Sequence, residues 1–251
     1  MTTSPYWPLH AKWLKSLTIQ SDIGLHINLT EGKPLSQSML NTYGECFPSL
    51  SKLMIQSYFR KLNFNVILTE MNAQIDQFEA NMGKLPDFID GHQHVHQLPI
   101  IRDSILKIYE KRLKQNPYCF IRCVNDQSVF FHIKQDAYIK RCIIQLSGAS
   151  ALKNELITRK IPHNTSFSGI YNFKHSTEYA QLFITFLKQV KNHGLIMCHP
   201  GLASNNSKED DMTEDTISYS RENEYRYFLS AEFLEACHHH HVILKTGRSF
   251  Y

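Results

Sequence analysis

The segment IDGHQHVH, residues 89–96, places three histidines and one aspartate within eight positions. If this segment is extended, its side chains alternate between two faces, so Asp90, His92, His94 and His96 share one face. Packing alone gives little reason to collect three imidazoles and a carboxylate on one side of a strand. Neutral imidazole is a common ligand of divalent ions, and a neighbouring carboxylate often fixes which ring nitrogen binds. The segment therefore predicts a metal-binding or catalytic site, with Asp90 as a candidate orienting group.

Two further histidines lie in short apolar runs that end in loop-forming residues. His26 lies in GLHINLT, where apolar and polar residues alternate, and His199 ends the apolar run of LIMCHPG. In parallel β/α folds, the carboxyl ends of the strands and the loops that follow them form the catalytic face. Together with His92, these histidines are predicted to approach one another at that face. A lone histidine on a strand is more commonly a buried structural residue, and this alternative stays open for His26 and His199 taken singly.

Short apolar runs alternate with amphipathic stretches along the chain, which is typical of parallel β/α construction. Strands are predicted at residues 23–29, 88–90, 119–124, 195–199 and 242–246. Helices are predicted at residues 7–17, in two pieces between 51 and 81, and at 99–114, 135–159, 176–194 and 221–239. The acidic, polar stretch at 204–216 is predicted to be a surface loop.

The composition argues against several classes of function. Lysine and arginine number 27 against 23 aspartate and glutamate residues, and the formal net charge is +4. Without a basic stretch interleaved with aromatic residues, nucleic acid is not an expected partner. No apolar run is long enough to cross a bilayer and no leader pattern is visible, so a cytoplasmic protein without a membrane partner is expected. The six cysteines are scattered, which predicts reduced thiols rather than a disulfide framework.

Four segments carry a resemblance to a known family: GLHINLTEGKPL, DFIDGHQHVHQLP, LIMCHPG and RENEYRYFL. In their order and approximate spacing they resemble the YdjC/ChbG family of carbohydrate deacetylases. The resemblance extends over nearly the whole chain and implies one domain at residues 1–251. The implied fold is α/β, a distorted (β/α) TIM-like barrel. The implied activity is the hydrolysis of N-acetyl groups of chitooligosaccharide-type sugars with a divalent ion, usually Mg²⁺.

The resemblance also assigns roles to residues by position. His26 and His92 match the two histidine ligands of the metal, and His199 matches a candidate acid that protonates the leaving amine. Other polar residues are expected to contact substrate or to orient these groups: Asp90, His94, His96, Arg122, Arg221 and Glu224. Three aromatic residues could stack on sugar rings, with core packing as an equal alternative: Phe167, Tyr171 and Phe173.

The sequence departs from the family pattern at one important place. Family members begin with a strand that ends in Asp-Asp-Phe-Gly, where one aspartate is expected to bind the metal and the other to act as base. This motif is absent from the sequence. We therefore expect an incomplete domain that lacks its first β/α unit and has weak or no deacetylase activity. An open sheet edge exposes unpaired backbone groups, so a homodimer that covers the gap is one expected state.

Two alternative functions stay open at the level of sequence. A different metallohydrolase, such as a phosphoesterase, uses similar histidine clusters on β/α barrels, although no basic cluster adjoins the histidines to hold a phosphate. The other alternative is a non-catalytic remnant that binds carbohydrate, because the expected base is missing. For the deacetylase, the expected partner is an acetylated amino-sugar oligosaccharide.

Overall fold

The computed structural model describes residues 1–17, 21–126, 137–174, 178–202 and 216–250. The chain forms two compact units. The first contains residues 1–125, 144–164 and 245–251, and the second contains residues 126–143 and 165–244. The single domain expected from the sequence stays a prediction. Nearly all of the predicted acidic loop at 204–216 lies outside the described residues.

A three-stranded parallel sheet in the order β1–β2–β3 forms the centre of the first unit. Its strands are β1 Leu25–Ile27, β2 Phe88–Gly91 and β3 Phe120–Ile121. In the register of this sheet, His26 of β1 lies opposite Asp90 of β2. Aliphatic side chains of the three strands are almost completely buried: Leu25, Ile27, Ile89 and Ile121. Parallel pairing therefore brings two of the predicted site residues side by side on neighbouring strands.

Helices connect the strands, because a parallel pair needs a long crossover connection. The α-helices of the described residues are α1 Trp7–Ser16, α2 Gln37–Tyr43, α3 Leu50–Tyr58, α4 Phe64–Met82, α5 Ile101–Lys111, α6 Tyr138–Ile144, α7 Ser150–Thr158, α8 Tyr179–Gln189, α9 Ser218–Phe228 and α10 Ala231–His239. Short 3₁₀ segments occur at His92–Gln97, Leu113–Gln115 and Gly247–Phe250, and a π-helical turn at Gln145–Ala149. Across the described ranges, no helix is both long and apolar enough to cross a membrane.

Two side-chain amides take the place of strand partners where β1 and β3 end. Gln74 of α4 accepts the Asn28 N–H at 3.0 Å and donates to the Asn28 carbonyl at 2.7 Å. In the same way, Asn164 accepts the Cys123 N–H at 2.8 Å and donates to the Cys123 carbonyl at 2.7 Å. Buried backbone groups need hydrogen-bond partners. These amides therefore let the chain leave the sheet near His26 without unpaired backbone groups.

Aromatic side chains form the core of the second unit. Strands β4 Phe167–Ser168 and β5 Leu195–Ile196 pair in parallel, and helices α8, α9 and α10 pack on one another. The apolar stripe predicted along α8 contributes buried Tyr179, Phe183, Phe186 and Leu187. The α/β class with parallel strands is therefore present in both units. The barrel expected from the sequence is a finer statement that stays a prediction.

Several predicted boundaries differ from the structure for local reasons. The predicted helix at 99–114 begins at Ile101, because the Ile101 N–H bonds back to the Pro99 carbonyl at 2.8 Å in a tight turn. The predicted strands at 119–124 and 195–199 pair over only two residues each.

The end of the chain differs more strongly from the prediction. The predicted last helix is two helices, α9 and α10. The predicted strand at 242–246 is wrong, since these residues are not in a strand. The backbone explains this difference, because His241 has a left-handed φ of 54° and the Val242 N–H bonds back to the Cys237 carbonyl at 2.8 Å. This hydrogen bond closes the end of α10 and turns the chain away from an extended course.

We expect Gln74→Ala to lower the free energy of unfolding by about 2–4 kcal/mol, because it leaves a buried N–H and a buried carbonyl of Asn28 unpaired. Gln77→Ala is the matched control, since Gln77 is an exposed glutamine on the same helix. Its effect should stay within about 0.5 kcal/mol. Urea unfolding followed by circular dichroism measures both variants. Equal effects would show that the Gln74 amide does not act as a strand partner.

Candidate functional site

His26 and Asp90 form a pair across strands β1 and β2. His26 Nδ1 lies 2.6 Å from Asp90 Oδ1, as their opposite positions in the register allow. An ionised carboxylate only accepts hydrogen bonds, so the ring proton of a neutral His26 is on Nδ1. Nε2 of His26 then carries the lone pair and can bind a cation.

Arg122, which directly follows β3, keeps Asp90 ionised. Arg122 Nη1 lies 2.6 Å from Asp90 Oδ2, and both side chains are buried. Burial opposes ionisation of Asp90, but the Arg122 guanidinium and His26 together hold the pKa of this carboxyl well below its usual range. Arg122 Nη2 also donates to the Gly91 carbonyl at 2.9 Å. Both oxygens of Asp90 are therefore engaged, and the group is a fixed acceptor rather than a proton-accepting base.

His92 is the first residue after β2 and faces His26. Its Nδ1 lies 3.3 Å from His26 Nε2. Its Nε2 lies 2.9 Å from Glu31 Oε1, close enough for an ion pair although the groups are not aligned as a hydrogen bond. Burial lowers the pKa of His92, while the Glu31 carboxylate opposes this change. The structure thus brings together the two histidines that the sequence proposed as metal ligands.

His94 and His96 do not share a face with His92, so the predicted alternation is wrong. The strand ends at Gly91, and the backbone of Gln93 and His94 is left-handed, with φ of 50° and 61°. Glycine is needed at position 91, because a Cβ there would lie 2.8 Å from the backbone nitrogen of His96. The side chains of His94 and His96 consequently turn into the protein interior.

The interior environment makes both of these histidines neutral. Burial, followed by the Arg122 charge, lowers the pKa of His96 to about 3 and that of His94 well below its usual value. His96 Nε2 lies 2.9 Å from the Arg122 carbonyl, and His94 Nδ1 lies 3.3 Å from Arg122 Nη2. Of the two predicted roles, their burial is compatible with support of the loop and not with contact to a sugar.

We call His26 Nε2 and His92 Nδ1, which face each other, the inner nitrogens, and His26 Nδ1 and His92 Nε2 the outer nitrogens. The inner nitrogens fit a divalent ion with two imidazole ligands. Two nitrogens that each lie about 2.0–2.1 Å from a tetrahedral ion are roughly 3.3 Å apart, and the observed separation is 3.3 Å. Each outer nitrogen faces a carboxylate, which is typical of metal-binding histidines. Within the described ranges, no group of three or more His, Cys, Asp or Glu side chains is arranged to hold a metal ion. The remaining ligand positions would therefore fall to water or substrate.

In the second unit, Glu224 of α9 holds the loop that carries His199. The carboxylate is completely buried and accepts hydrogen bonds from the Tyr171 hydroxyl, at 2.6 Å, and from the His199 backbone N–H. Burial raises the pKa of Glu224, although these two donors and Arg221 oppose the rise. A completely buried side chain cannot touch a sugar, so only the orienting role predicted for Glu224 is compatible with the structure.

Other predicted residues of the second unit lie near His199. The Phe173 ring packs edge-on against the His199 imidazole, with centroids 5.3 Å apart, and Lys140 Nζ lies 4.5 Å from the Phe173 centroid. Arg221 packs against the residues after His199, where a Cβ on Gly201 would lie 2.9 Å from Arg221 Nη2.

The aromatic residues proposed for sugar stacking fall into two groups. Phe167 is 4% exposed and Tyr171 is 2% exposed, so both are core residues and cannot stack on a ligand. Phe173 is half-buried and is the one of the three whose exposure permits such a contact.

Comparison with known proteins identifies the family. A family model described as "YdjC-like protein" matches residues 1–239. The chain belongs to the YdjC-like family. A "Carbohydrate deacetylase" of Danio rerio is 35% identical over 91 residues, which cover 34% of this YdjC-like chain and 29% of that protein. A "Chitooligosaccharide deacetylase" of Yersinia enterocolitica is 37% identical over 95 residues, 37% of this chain and 36% of that protein. The chain thus matches about a third of the length of these relatives.

A crystal structure from Enterococcus faecalis V583 shares the fold of the YdjC-like chain. It is provisionally named a cellobiose-phosphate cleavage protein and superimposes with a TM-score of 0.67, at 20% sequence identity. The match covers 99% of this chain and 85% of that chain. At this identity the likeness concerns the fold alone.

The sequence pattern indicates no role for Glu31, and for Tyr171 the core-packing alternative is the correct one. The sequence signal near Glu31 is Asn28, a turn-forming residue directly after β1. In the structure, Asn28 Oδ1 accepts the backbone N–H groups of Thr30 and Glu31 and so holds this turn. For Tyr171 no signal in the sequence indicates its hydrogen bond to Glu224, which is 53 residues further along the chain.

We expect Glu224→Ala to lower the free energy of unfolding by about 2–4 kcal/mol, because two buried donors lose their acceptor. Glu224→Gln should cost less at pH 7, since an amide oxygen still accepts the His199 N–H. The pKa of Glu224 is raised in the folded protein, so the folded state binds this proton more tightly than the unfolded state does. The stability that this proton contributes is present below the unfolded pKa and is lost as pH rises through the folded pKa. Glu224→Gln should therefore flatten this part of the stability profile.

Urea unfolding between pH 4 and pH 8 measures these effects. The control is Glu222→Ala on the same helix, where the side chain forms a surface ion pair with Arg226; its cost should stay below about 1 kcal/mol. An Ala variant at 224 as stable as the Gln variant would contradict the anchoring role.

Proposed function

We propose that this YdjC-like chain is a metal-dependent hydrolase that removes N-acetyl groups from chitooligosaccharide-type sugars. The observation that carries the proposal is the His26–His92 pair, whose inner nitrogens are 3.3 Å apart and whose outer nitrogens each face a carboxylate. The names of the relatives from Danio rerio and Yersinia enterocolitica supply the reaction and the acetylated amino-sugar substrate. Family membership also supports the finer fold that we propose, a distorted (β/α) TIM-like barrel.

In this proposal, His26 Nε2 and His92 Nδ1 hold the divalent ion. When bound, such an ion polarises the acetamide carbonyl and lowers the pKa of a water molecule. Asp90, fixed by Arg122, keeps the His26 proton on Nδ1 and so leaves the Nε2 lone pair for binding. For His199, the match to the family motif supports the role of an acid that protonates a leaving amine, and Glu224 accepts its backbone N–H.

The metal and the base need separate consideration. Two imidazole nitrogens suit a borderline ion such as Zn²⁺ or Co²⁺ better than Mg²⁺, which prefers oxygen ligands. The resemblance favours Mg²⁺, so both kinds of ion belong in the experiments. Asp90 is not proposed as the base, because Arg122 and His26 engage both of its oxygens.

The proposal is tested by acetate release from N-acetylglucosamine oligomers by the purified chain, with Mg²⁺, Co²⁺ or Zn²⁺ and with a chelator. We expect slow release with at least one ion, none with the chelator, and loss in His26→Ala. Release of phosphate from phosphate esters, without release of acetate, would favour the alternative metallohydrolase. Binding of the oligomers without release of acetate would favour the non-catalytic carbohydrate-binding alternative.

We expect His92→Ala to weaken divalent-ion binding by more than 100-fold, because loss of a direct ligand should exceed the 10–100-fold typical of groups that only orient a ligand. His94→Ala and His96→Ala should weaken it less, since their side chains support the loop from within. Calorimetric titration measures the affinities, and His10→Ala on the exposed surface of α1 is the control. Equal affinities of the His92 and His10 variants would rule out His92 as a ligand.

A further inference from the structure

Glu31 and Asp90 have equivalent places relative to the two facing histidines. Asp90 Oδ1 lies 2.6 Å from the outer nitrogen of His26, Nδ1, and Glu31 Oε1 lies 2.9 Å from the outer nitrogen of His92, Nε2. The inner nitrogens of both rings face each other. The arrangement is thus two carboxylate–imidazole pairs that converge on one point, although their carboxylates come from different parts of the chain.

The two carboxylates differ in how firmly the protein holds them. The Asp90 side chain is 9% exposed and is fixed by Arg122, whereas the Glu31 side chain is 45% exposed. The backbone of Glu31 is nevertheless well held, since Asn28 Nδ2 donates to the Glu31 carbonyl at 2.6 Å and Asn28 Oδ1 accepts the Glu31 N–H at 3.1 Å. Gln93 Nε2 donates to Glu31 Oε1 at 3.3 Å. An exposed side chain on a fixed backbone can rotate into line with His92 without repacking the core.

In each histidine, the neighbouring carboxylate influences which ring nitrogen carries the proton. A carboxylate beside the outer nitrogen of an imidazole favours the proton on that nitrogen, so the lone pair is on the inner nitrogen. With the His26 proton on Nδ1 and the His92 proton on Nε2, both inner nitrogens would present lone pairs to each other across 3.3 Å. The hydrogen bond that joins these nitrogens without an ion places the His92 proton on Nδ1 instead, so ion binding requires this proton to move to the side of Glu31. Two lone pairs at this distance repel, unless a cation lies between them.

We propose that Glu31 is a positioning residue of the metal site, and that it acts through His92 as Asp90 acts through His26. This inference rests on the proposed metal-dependent function. Glu31 fixes the His92 proton on Nε2 and directs the Nδ1 lone pair towards the ion. It does not bind the ion itself, because its carboxylate lies against the outer nitrogen of His92.

The experiment measures Co²⁺ affinity by titration to millimolar concentrations, with the visible absorption of Co²⁺ as the readout. The variants are Glu31→Ala, Glu31→Gln, His92→Ala and the double variant Glu31→Ala/His92→Ala. We expect Glu31→Ala to raise the Kd 10–100-fold, as for other groups that orient a metal-binding histidine. Glu31→Gln should raise it less, since an amide oxygen can also accept a proton from His92 Nε2 once the side chain rotates into line. In the His92→Ala background, Glu31→Ala should change the Kd by less than about twofold, because coupled residues are not additive.

The control variant is Glu45→Ala, which removes another exposed carboxylate of the first unit and should leave the Kd unchanged. A Glu31→Ala Kd equal to that of the unmodified chain would overturn the inference while the metal site stands. If Glu31→Ala also raised the Kd 10–100-fold in the His92→Ala background, the inference would be overturned, since Glu31 would then bind the ion directly. If the unmodified chain binds none of Co²⁺, Zn²⁺ and Mg²⁺, the proposed function is wrong and the role of Glu31 falls with it.

Discussion

The buried ion pair between Asp90 and Arg122 is the interaction on which the arrangement of the first unit's site depends. Transfer of either charge from water into the protein interior costs several kcal/mol unless it is paired and hydrogen-bonded. Here the pair is satisfied from several sides, since Asp90 accepts from Arg122 and His26, and Arg122 also donates to the Gly91 carbonyl. These partners lie on or directly after three adjacent strands. A shift of one residue in the register would turn each side chain to the opposite face and leave both charges unpaired.

This ion pair determines what chemistry Asp90 can perform. Its pKa is held well below the usual range by Arg122 and His26, so at neutral pH it remains a carboxylate and a hydrogen-bond acceptor. A carboxylate that cannot be protonated easily is a poor base but a reliable orienting group, because its charge never changes. Asp90 is therefore an orienting group for His26 and not a candidate for the base. The only other carboxylate that the structure describes in contact with the two histidines is Glu31, whose exposure allows it to move.

The sequence predicts the α/β class with parallel strands and the approach of His26 to His92, and the limit of these predictions has a physical cause. The strand around His26, and the position of His92 directly after β2, follow from apolar runs and from the rule that parallel strands share a carboxyl edge. The alternation rule fails at His94 and His96, because the strand ends at Gly91. Left-handed backbone at residues other than glycine, as at Gln93 and His94, has no clear signal in a sequence.

Contacts between distant parts of the chain account for the rest of what the sequence did not predict. The role of Glu31 requires that a loop after β1 meets a residue after β2, and the role of Glu224 requires that α9 meets Tyr171. In the second case a pattern was available, since Ser220, Glu224 and Tyr227 are spaced as one face of a helix and all three are buried. A glutamate on the buried face of an amphipathic helix needs internal donors, so its burial could have been suspected, but not the identity of those donors.

The two candidate metal ligands and Glu31 differ in how the fold holds them. His26 lies within β1 and His92 directly follows β2, so their backbones are held close together by two hydrogen-bonded strands, and their inner nitrogens lie 3.3 Å apart. The separation of the two backbones can change little unless the sheet itself is disrupted. Glu31, by contrast, projects from a loop whose backbone is held by Asn28 while its carboxylate stays exposed. In the proposed metal site, the sheet therefore holds the backbones of the two candidate ligands, whereas the side chain beside His92 Nε2 comes from a loop.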